Sequence, residues 1–291
     1  MNMITFSVII PTYHEWDRLQ LCLNSLEAQS FNLDDFEIIV VNNDPEDFPP
    51  KNLRLPYNCI LLKEEKVGSY AARNTAIKAS KGKILAFTDS DCICDKDWLS
   101  NAFMRLRDSN KRLAGHVELF FESKNISSIE LFEKAFSFDQ KFNAERGTSV
   151  TANMITWKSS FERVGLFDES LLSGGDIDWG WRAHRNGLDV EYARDVLVNH
   201  PARSNMKMML KKKRRVAGGE ILIEKNSFIL TFLKIIIIGF LPPFSLKKLF
   251  KIKNMTFFQK IKAGYVAYFL KIYGTIFKLG ILFNLTDHQR A

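Results

Sequence analysis

Two aspartates separated by one residue follow an apolar segment in the first third of the chain. The segment Ile84–Phe87 is typical of a buried strand. It is followed closely by Asp89, Ser90 and Asp91. Where a strand gives way to a loop, two such carboxylates can converge on one cation. Hard oxygen ligands beside an open loop suit Mg²⁺ or Mn²⁺ that holds the phosphates of a ligand. The alternative is a solvated turn, because Asp-x-Asp is a common sequence.

The elements that would position this pair alternate between strand and helix. Strands are predicted, from apolar runs that end in turn residues, at residues 6–11, 36–41, 58–62 and 84–87. Helices are predicted between them at residues 15–29 and 67–80. This alternation favours a parallel, doubly wound α/β sheet, in which ligands bind at the carboxyl ends of the strands. Polar clusters stand at three of those ends, at residues 12–15, 42–44 and 89–91.

The pattern from residue 96 to residue 202 mixes both kinds of element. Helices are predicted at residues 97–107, 126–142, 157–164 and 176–186, and strands at residues 113–121, 150–156 and 190–198. No Gly-x-Gly-x-x-Gly follows the first strand, and the sequence contains no Gly-Lys-Ser/Thr loop. Dinucleotide-binding and P-loop proteins are therefore disfavoured.

The last 89 residues differ from the rest in charge and hydrophobicity. Residues 1–202 contain 23 Lys and Arg against 30 Asp and Glu, whereas residues 203–291 contain 18 against 3. The basic run 211–215 precedes two apolar stretches, 228–244 and 260–283, which carry lysines at intervals. We expect helices that lie in the interface of an anionic membrane. A membrane span, and a helical subdomain packed on the body or on a second protomer, are the alternatives.

The cysteines and the first residues of the chain indicate a cytosolic protein. Cys22, Cys59, Cys92 and Cys94 show no zinc-site spacing, and the last two are too close in sequence for an ordinary disulfide. A basic segment followed by a long apolar stretch does not open the sequence, so a signal peptide is not expected. Nucleic acid is not an expected partner, because no known binding fold or aromatic platform accompanies the basic run.

Seven segments, in this order, resemble motifs of the inverting family-two glycosyltransferases. They are residues 7–13, 39–43, 68–77, 87–92, 98–99, 161–169 and 174–182. The resemblance covers about residues 5–202. It implies the GT-A fold, a Rossmann-like α/β domain with a mixed or parallel nucleotide-binding sheet and flanking helices. The nucleotide-sugar-binding half would be residues 1–95 and the acceptor-binding half residues 96–202, followed by a basic, apolar helical region at residues 203–291.

The resemblance implies a set of residues that bind the sugar donor. They are Pro11, Thr12, Tyr13, Glu15, Asn42, Asn43, Arg73, Asn74, Asp89, Ser90 and Asp91. Asn42 stands where the family usually has an aspartate that contacts the base or the ribose, so the base stays open. Arg73 would approach the diphosphate. Asp91, with Asp89 and His200, would hold Mn²⁺ or Mg²⁺, and a structural role is the alternative for His200.

Inverting transfer also needs a base that removes the proton of the acceptor hydroxyl. The resemblance places this base in an acidic motif before a helix, usually Glu-Asp, which reads Gly175-Asp176 here. We expect Asp176 to be the base, with Asp178 as the alternative; simple helix capping by both is the third possibility. Trp179, by stacking on a sugar, and Arg182 are expected to bind the acceptor, and Trp181 could equally belong to the core.

Together these features predict a metal-dependent inverting glycosyltransferase. It would move a sugar from a nucleoside diphosphate sugar, with UDP favoured, to a glycan or lipid-linked glycan in surface polysaccharide synthesis. The C-terminal region would hold it peripherally at the inner face of the cell membrane, with a homo-oligomer possible. Two other functions stay open. One is a sugar-phosphate nucleotidyltransferase, although those enzymes have a glycine-rich loop after the first strand. The other is a catalytically degenerate membrane-associated scaffold of the same fold.

Overall fold

The computed structural model describes residues 4–107, 109–224 and 227–286. These residues form an eight-stranded mixed sheet in the order β3-β2-β1-β4-β7-β6-β8-β5. The strands are β1 (Phe6–Thr12), β2 (Phe36–Asn42), β3 (Cys59–Lys63), β4 (Ile84–Thr88), β5 (Ile93–Cys94), β6 (Arg112–Phe120), β7 (Asn153–Trp157) and β8 (Val190–Pro201).

Strands β3, β2, β1 and β4 are parallel, so their carboxyl ends lie at one edge of the sheet. The register pairs Phe6 with Phe36 and Ile84, and it pairs Thr12 with Asn42. Every residue of β2 and β4 is buried. Such continuous apolar strands are typical of a parallel sheet that is covered on both faces. The predicted α/β fold, with its polar strand ends side by side, is confirmed here.

The other half of the sheet is antiparallel. Strand β7 pairs antiparallel with both β4 and β6, and the two-residue strand β5 pairs antiparallel with β8. The sheet is therefore mixed, and a parallel arrangement holds only for the strands before residue 89.

Eleven α-helices flank or follow these strands in the described part of the chain. They are α1 (Trp16–Glu27), α2 (Ser69–Ala79), α3 (Trp98–Leu106), α4 (Ser128–Phe136), α5 (Gln140–Glu145), α6 (Lys158–Val164), α7 (Gly175–Arg185), α8 (Met206–Ile223), α9 (Phe228–Gly239), α10 (Lys247–Lys251) and α11 (Phe257–Leu282). Helix α1 buries the predicted stripe of Leu19, Cys22, Leu23 and Leu26, which belongs to the main core of the sheet.

The single helix predicted at residues 126–142 is two helices, so this prediction is wrong. Helix α4 ends before Ser137, and Phe138 takes a left-handed backbone conformation with φ of 52°. The Asp139 side chain then accepts a hydrogen bond from the backbone of Phe142 and begins α5. A left-handed residue between the two helices interrupts the helical hydrogen bonds even though the apolar pattern continues.

The chain divides into two compact units. The first unit comprises the residues up to Glu118 with Phe138–Ser170 and Gly175–His200; the second comprises Leu119–Ser137, Leu171–Gly174 and the chain from Pro201 onward. All the predicted site residues lie in the first unit. Helix α4, which falls within the predicted acceptor-binding half, lies in the second unit with the basic C-terminal helices.

The second unit exposes many large apolar side chains. They include Phe228, Ile229, Leu230, Ile237, Phe244, Phe250, Phe257, Phe258, Tyr265 and Leu285. By length and composition, two segments could cross a membrane, Phe228–Lys251 and Phe257–Leu282. The first is not one continuous helix, because α9 ends at Gly239 before a Pro-Pro turn. At 1.5 Å per residue its 12 residues span roughly 18 Å, less than the ~30 Å hydrocarbon core.

A buried ion-pair cluster lies in the second unit. The fully buried carboxylate of Glu133 on α4 accepts hydrogen bonds from the backbone N–H of Arg203 (2.8 Å) and from Lys212 Nζ (3.0 Å). Burial alone would raise the pKa of Glu133, but the charges of Lys212 and Arg203 outweigh it and lower this pKa to about 2. Burial, together with the charge of Arg203, lowers the pKa of Lys212 to about 8, since two cations share one carboxylate.

The substitution Glu133→Gln is expected to destabilise the protein by about 3 kcal/mol at pH 7, because it leaves two cations without their counter-charge. Urea denaturation measures this loss. The depressed pKa of Glu133 also sets a pH dependence: the stabilisation is present above the ordinary carboxyl pKa and is lost as the pH falls toward about 2. The control is Glu220→Gln, which removes an exposed pair with Lys278 and should cost about 1 kcal/mol at most. Equal losses in the two variants would contradict a structural role for the buried cluster.

Candidate active site

A carboxylate and an imidazole meet at the edge of the sheet where β4 ends. Asp91 Oδ1 lies 3.5 Å from Nε2 of His200, whose side chain is almost fully buried. The short strand β5 causes this meeting, because its pairing of Ile93 with Asn199 brings the preceding turn beside the end of β8. The pair was predicted from position alone, and the structure brings both residues together.

The donor atoms at this point suit a divalent cation. Asp91, Cys92 and His200 each offer one ligand atom, and the three atoms lie within 4.8 Å of one another. Burial raises the pKa of the Cys92 thiol well above its ordinary range, so the sulfur stays protonated and is a poor ligand. The carboxylate oxygen and the imidazole nitrogen are ligands that Mn²⁺ accepts. Asp91 and His200 therefore fit the predicted cation.

Asp89 is bonded to a different residue. Its Oδ1 is 2.5 Å from Nη2 of Arg73, and the Arg73 side chain is almost fully buried in α2. We had expected Arg73 to contact a diphosphate directly. The structure instead gives it Asp89 as its immediate partner, because a buried guanidinium requires a counter-charge. Its Nε has no hydrogen-bond partner.

The predicted base, Asp176, lies in the first turn of α7 and is 8% exposed. Its Oδ1 accepts hydrogen bonds from the Tyr70 hydroxyl (3.0 Å) and from the backbone N–H of Ile177 (3.0 Å). Its Oδ2 accepts one from the backbone N–H of Thr151 (3.2 Å). The amino end of a helix stabilises a negative charge. The carboxylate is thus fixed in position, in a separate place from the Asp91 and His200 pair.

The alternative base, Asp178, is held in an ion pair. Its Oδ2 lies 2.9 Å from Nε of Arg182, one helical turn further along α7. The same guanidinium donates to the carbonyl oxygens of Val164 and Leu166. Arg182 therefore uses three of its five N–H groups, two of them to fasten α7 to the preceding segment, and its contact with the acceptor stays a prediction.

The prediction that Trp179 stacks on an acceptor sugar is wrong. Trp179 is fully buried, lies flat against Phe161 with ring centroids 4.4 Å apart, and donates its indole N–H to the carbonyl of Gly165. The Trp179 ring is therefore enclosed in the core, and its indole N–H is already hydrogen-bonded. Trp181 is instead 44% exposed.

Two side-chain amides that are predicted to bind the donor form hydrogen bonds to the backbone of neighbouring loops. The Asn42 amide donates to the carbonyls of Asp44 and Asp47 and accepts from the backbone N–H of Asp44, so it shapes the loop after β2. Asn43 donates to the carbonyls of Glu64 and Lys66 and accepts from the N–H of Gly68 at the start of α2.

Other predicted donor-binding residues lie at the strand ends as expected or support them. Thr12, at the end of β1, is buried, and its Oγ1 has no hydrogen-bond partner among the residues that the structure describes. Pro11 and Tyr13 flank it and are half-buried, Glu15 is exposed, and Ser90 lies buried between the two aspartates. Asn74 connects α2 to the backbone of Phe167 through two hydrogen bonds.

At the ends of β1 and β2 the structure brings together three polar side chains that were not among the predicted site residues. His14, with a left-handed backbone (φ 57°), lies 2.9 Å from Asp44 and 3.2 Å from Asp47. The His14 ring also packs edge-on against Tyr13. The available signal was the place of His14 in the first polar cluster after a strand.

Tyr70 was missed too, because its partner Asp176 is 106 positions away.

Known proteins resemble this chain over most of its length. The family model described as Glycosyl transferase family 2 matches residues 7–163. Glycosyltransferase AglE of Haloferax volcanii is 34% identical over 248 residues, which cover 81% of this chain and 81% of AglE. The solved mannosyltransferase PcManGT from Pyrobaculum calidifontis, in complex with GDP-Man and Mn²⁺, has a TM-score of 0.63 at 15% identity, covering 98% of this chain and 89% of that one. S. aureus TarS 1–349, in complex with UDP-GlcNAc, has a TM-score of 0.54 at 18% identity, covering 98% and 95%.

The mixed sheet with flanking helices, which this chain shares with these solved enzymes, is the GT-A fold. More than half of the sequence matches one family, and a relative above 30% identity spans most of both chains. The chain belongs to glycosyl transferase family 2, and it is a transferase. The family and fold predicted from the seven sequence segments are confirmed.

Proposed function

We propose that the protein is a metal-dependent inverting glycosyltransferase that uses a nucleoside diphosphate sugar, with UDP as the favoured nucleotide. The acceptor is the hydroxyl of a glycan or lipid-linked glycan in surface polysaccharide synthesis. The observation that carries this proposal is the meeting of Asp91 and His200, at 3.5 Å, beside the carboxyl ends of parallel strands. Two structures of the same fold support it, since one was solved with GDP-Man and Mn²⁺ and the other with UDP-GlcNAc.

The residues divide the chemistry between two places. Asp91 and His200 would hold the cation, and Arg73 keeps Asp89 in position through their ion pair. A bound Mn²⁺ or Mg²⁺ supplies a Lewis acid for the charge that develops on the leaving diphosphate. Asp176 accepts the proton of the acceptor hydroxyl as that oxygen bonds to the anomeric carbon. The bond from this carbon to the phosphate oxygen breaks on the opposite side, so the configuration inverts.

A donor screen tests the proposal. Thermal stabilisation of the full chain is measured with UDP-sugars and GDP-sugars, each with Mn²⁺ and with EDTA, and bound donors are then followed for hydrolysis and transfer. We expect at least one nucleoside diphosphate sugar to stabilise the protein only with Mn²⁺. Failure of every nucleoside diphosphate to bind overturns the proposal. Binding without turnover favours the degenerate scaffold instead.

We further propose that the second unit holds the enzyme peripherally at the inner, anionic leaflet of the cell membrane. Exposed aromatic and aliphatic side chains on α9 and α11 could enter the acyl region. The adjoining lysines would meet the lipid phosphates. The excess of 18 basic over 3 acidic residues in the region from 203 to 291 supports an anionic partner. This placement suits an acceptor that is itself carried on a lipid.

Vesicle sedimentation checks the membrane proposal. We expect binding to vesicles containing phosphatidylglycerol, weaker binding to phosphatidylcholine alone, and a loss of binding in high salt. Replacing the exposed Lys251 and Lys253 with glutamine should weaken anionic binding about thirtyfold, at ~1 kcal/mol per lysine. Phe257→Ser with Phe258→Ser should also weaken it. Phe48→Ser in the first unit, where the ring is 67% exposed, is the matched control. Equal binding by all variants would count against membrane docking.

A further inference from the structure

The hydroxyl of Tyr70 is aimed at the carboxylate that the proposed mechanism uses as its base. Tyr70 lies on α2, is nearly fully buried, and donates a hydrogen bond of 3.0 Å to Asp176 Oδ1. We infer that Tyr70 is the positioning residue of the base, an inference that rests on the proposed function. Tyr70 acts through Asp176 and need not touch the substrate.

The residue before the base supports this assignment. Gly175 stands where the family motif usually has a glutamate. A Cβ atom at Gly175 would lie 2.8 Å from Cδ2 and Cε2 of the Tyr70 ring, closer than real Cβ contacts allow. The ring therefore occupies the space that a side chain at position 175 would need. The chain thus has the Tyr70 phenol beside Asp176 in place of a second acid. The phenol fits there only because position 175 is a glycine.

The hydrogen bonds distinguish the two oxygens of Asp176. Among the described residues, Oδ1 accepts from both the Tyr70 hydroxyl and the Ile177 N–H, whereas Oδ2 accepts only from the Thr151 N–H, at 3.2 Å. An ionised carboxylate oxygen has about two acceptor positions. Tyr70 thus helps to fill Oδ1, and Oδ2 keeps capacity for the proton of the acceptor hydroxyl. Tyr70 retains its own proton throughout, and the electron pair of the acceptor O–H bond remains on the attacking oxygen.

Helix α2 carries the partners of both functional carboxylates. Tyr70 and Arg73 are three positions apart and so lie on one face of the helix. Tyr70 holds Asp176, and Arg73, whose guanidinium carbon lies 5.7 Å from the centre of the Tyr70 ring, holds Asp89. One helix face therefore sets the place of the base relative to the donor-side aspartate.

The substitution Tyr70→Phe tests this inference, since it removes only the hydroxyl. We expect kcat for transfer to fall roughly 10- to 100-fold, the effect of losing one hydrogen bond to a charged group. Donor-dependent thermal stabilisation with Mn²⁺ should be unchanged. Tyr192→Phe is the matched control, because its hydroxyl bonds His116 and not Asp176, and it should leave kcat unchanged.

A second variant separates positioning from general packing. Gly175→Ala must displace the Tyr70 ring, so it should lower kcat in the wild-type background but cause a smaller loss in the Tyr70→Phe background, where no hydroxyl remains to be misplaced. Equal losses in both backgrounds, or a Tyr70→Phe variant as active as Tyr192→Phe, overturn the inference while leaving the proposed function intact. A parallel loss of donor binding in Tyr70→Phe also overturns it. If the wild-type protein transfers no sugar, the proposed function itself fails.

Discussion

The substitution Asp176→Asn is expected to lower kcat for sugar transfer roughly a thousandfold while leaving donor binding intact. Asparagine has nearly the same shape and can still accept the hydrogen bond from Tyr70, so the fold of this region should persist. It cannot take up the proton of the acceptor hydroxyl, and a positioned general base contributes about 10²- to 10⁴-fold to a reaction rate. Initial rates of transfer measure the loss, and Mn²⁺-dependent thermal stabilisation by the donor measures what remains.

The matched control is the neighbouring variant Asp178→Asn. Asp178 is bound to Arg182, which also holds two backbone carbonyls, so its loss should reduce stability more than it reduces kcat. If Asp178→Asn abolishes transfer and Asp176→Asn does not, the two carboxylates exchange roles. If neither variant affects transfer, the base lies elsewhere and the single-displacement mechanism proposed for this site is wrong.

The parallel half of the sheet could be predicted from the sequence because its signals are local. Strands such as β2, buried at every position, read as continuous apolar runs, and turn residues end them. The polar groups that follow then come together because the strands are parallel and in register. The break at Phe138 could not be predicted in this way. The apolar spacing continues across it, and only the backbone conformations of Ser137, Phe138 and Asp139 separate α4 from α5.

The types of the site residues could be predicted, but their partners could not. Arg73 reaches Asp89 and Tyr70 reaches Asp176 through tertiary packing, across 16 and 106 positions. The Trp179 prediction went wrong for the same reason. Trp179 and Trp181 are two positions apart in a helix and so point to different sides. The stacking of Trp179 on Phe161, a contact that the sequence does not encode locally, decides which of them is buried.

The amides at the end of β2 show a further limit of sequence reasoning. Asn42 is predicted to bind the donor because it stands where the family usually has an aspartate that contacts the base or the ribose. In the fold its hydrogen bonds hold the loop that carries Asp44 and Asp47, and those two carboxylates lie next to His14. An amide that satisfies backbone groups within its own loop has little capacity left for a ligand. Asn42 would therefore affect the recognition of the nucleotide base only through the loop that it shapes.

The substitution Asp91→Ala is expected to abolish the Mn²⁺ dependence of donor binding and to lower kcat/KM by about a thousandfold or more. It removes the carboxylate of the pair formed with His200, and the loss of Lewis-acid stabilisation of a leaving diphosphate costs several kcal/mol. Titration of Mn²⁺ against donor-dependent thermal stabilisation measures the first effect, and initial rates at limiting donor measure the second.

The companion variant His200→Gln decides whether the imidazole binds the cation or only supports Asp91. A ligand role predicts that far more Mn²⁺ is needed for the same donor binding, whereas a supporting role predicts an unchanged Mn²⁺ titration and a lower melting temperature, since the His200 ring also packs against Phe138. His116→Gln is the matched control, because His116 also pairs with a carboxylate, that of Glu118 at 3.0 Å, and is not one of the proposed cation ligands. If Asp91→Ala keeps the full Mn²⁺ dependence, the cation is bound by other groups and the pair is structural.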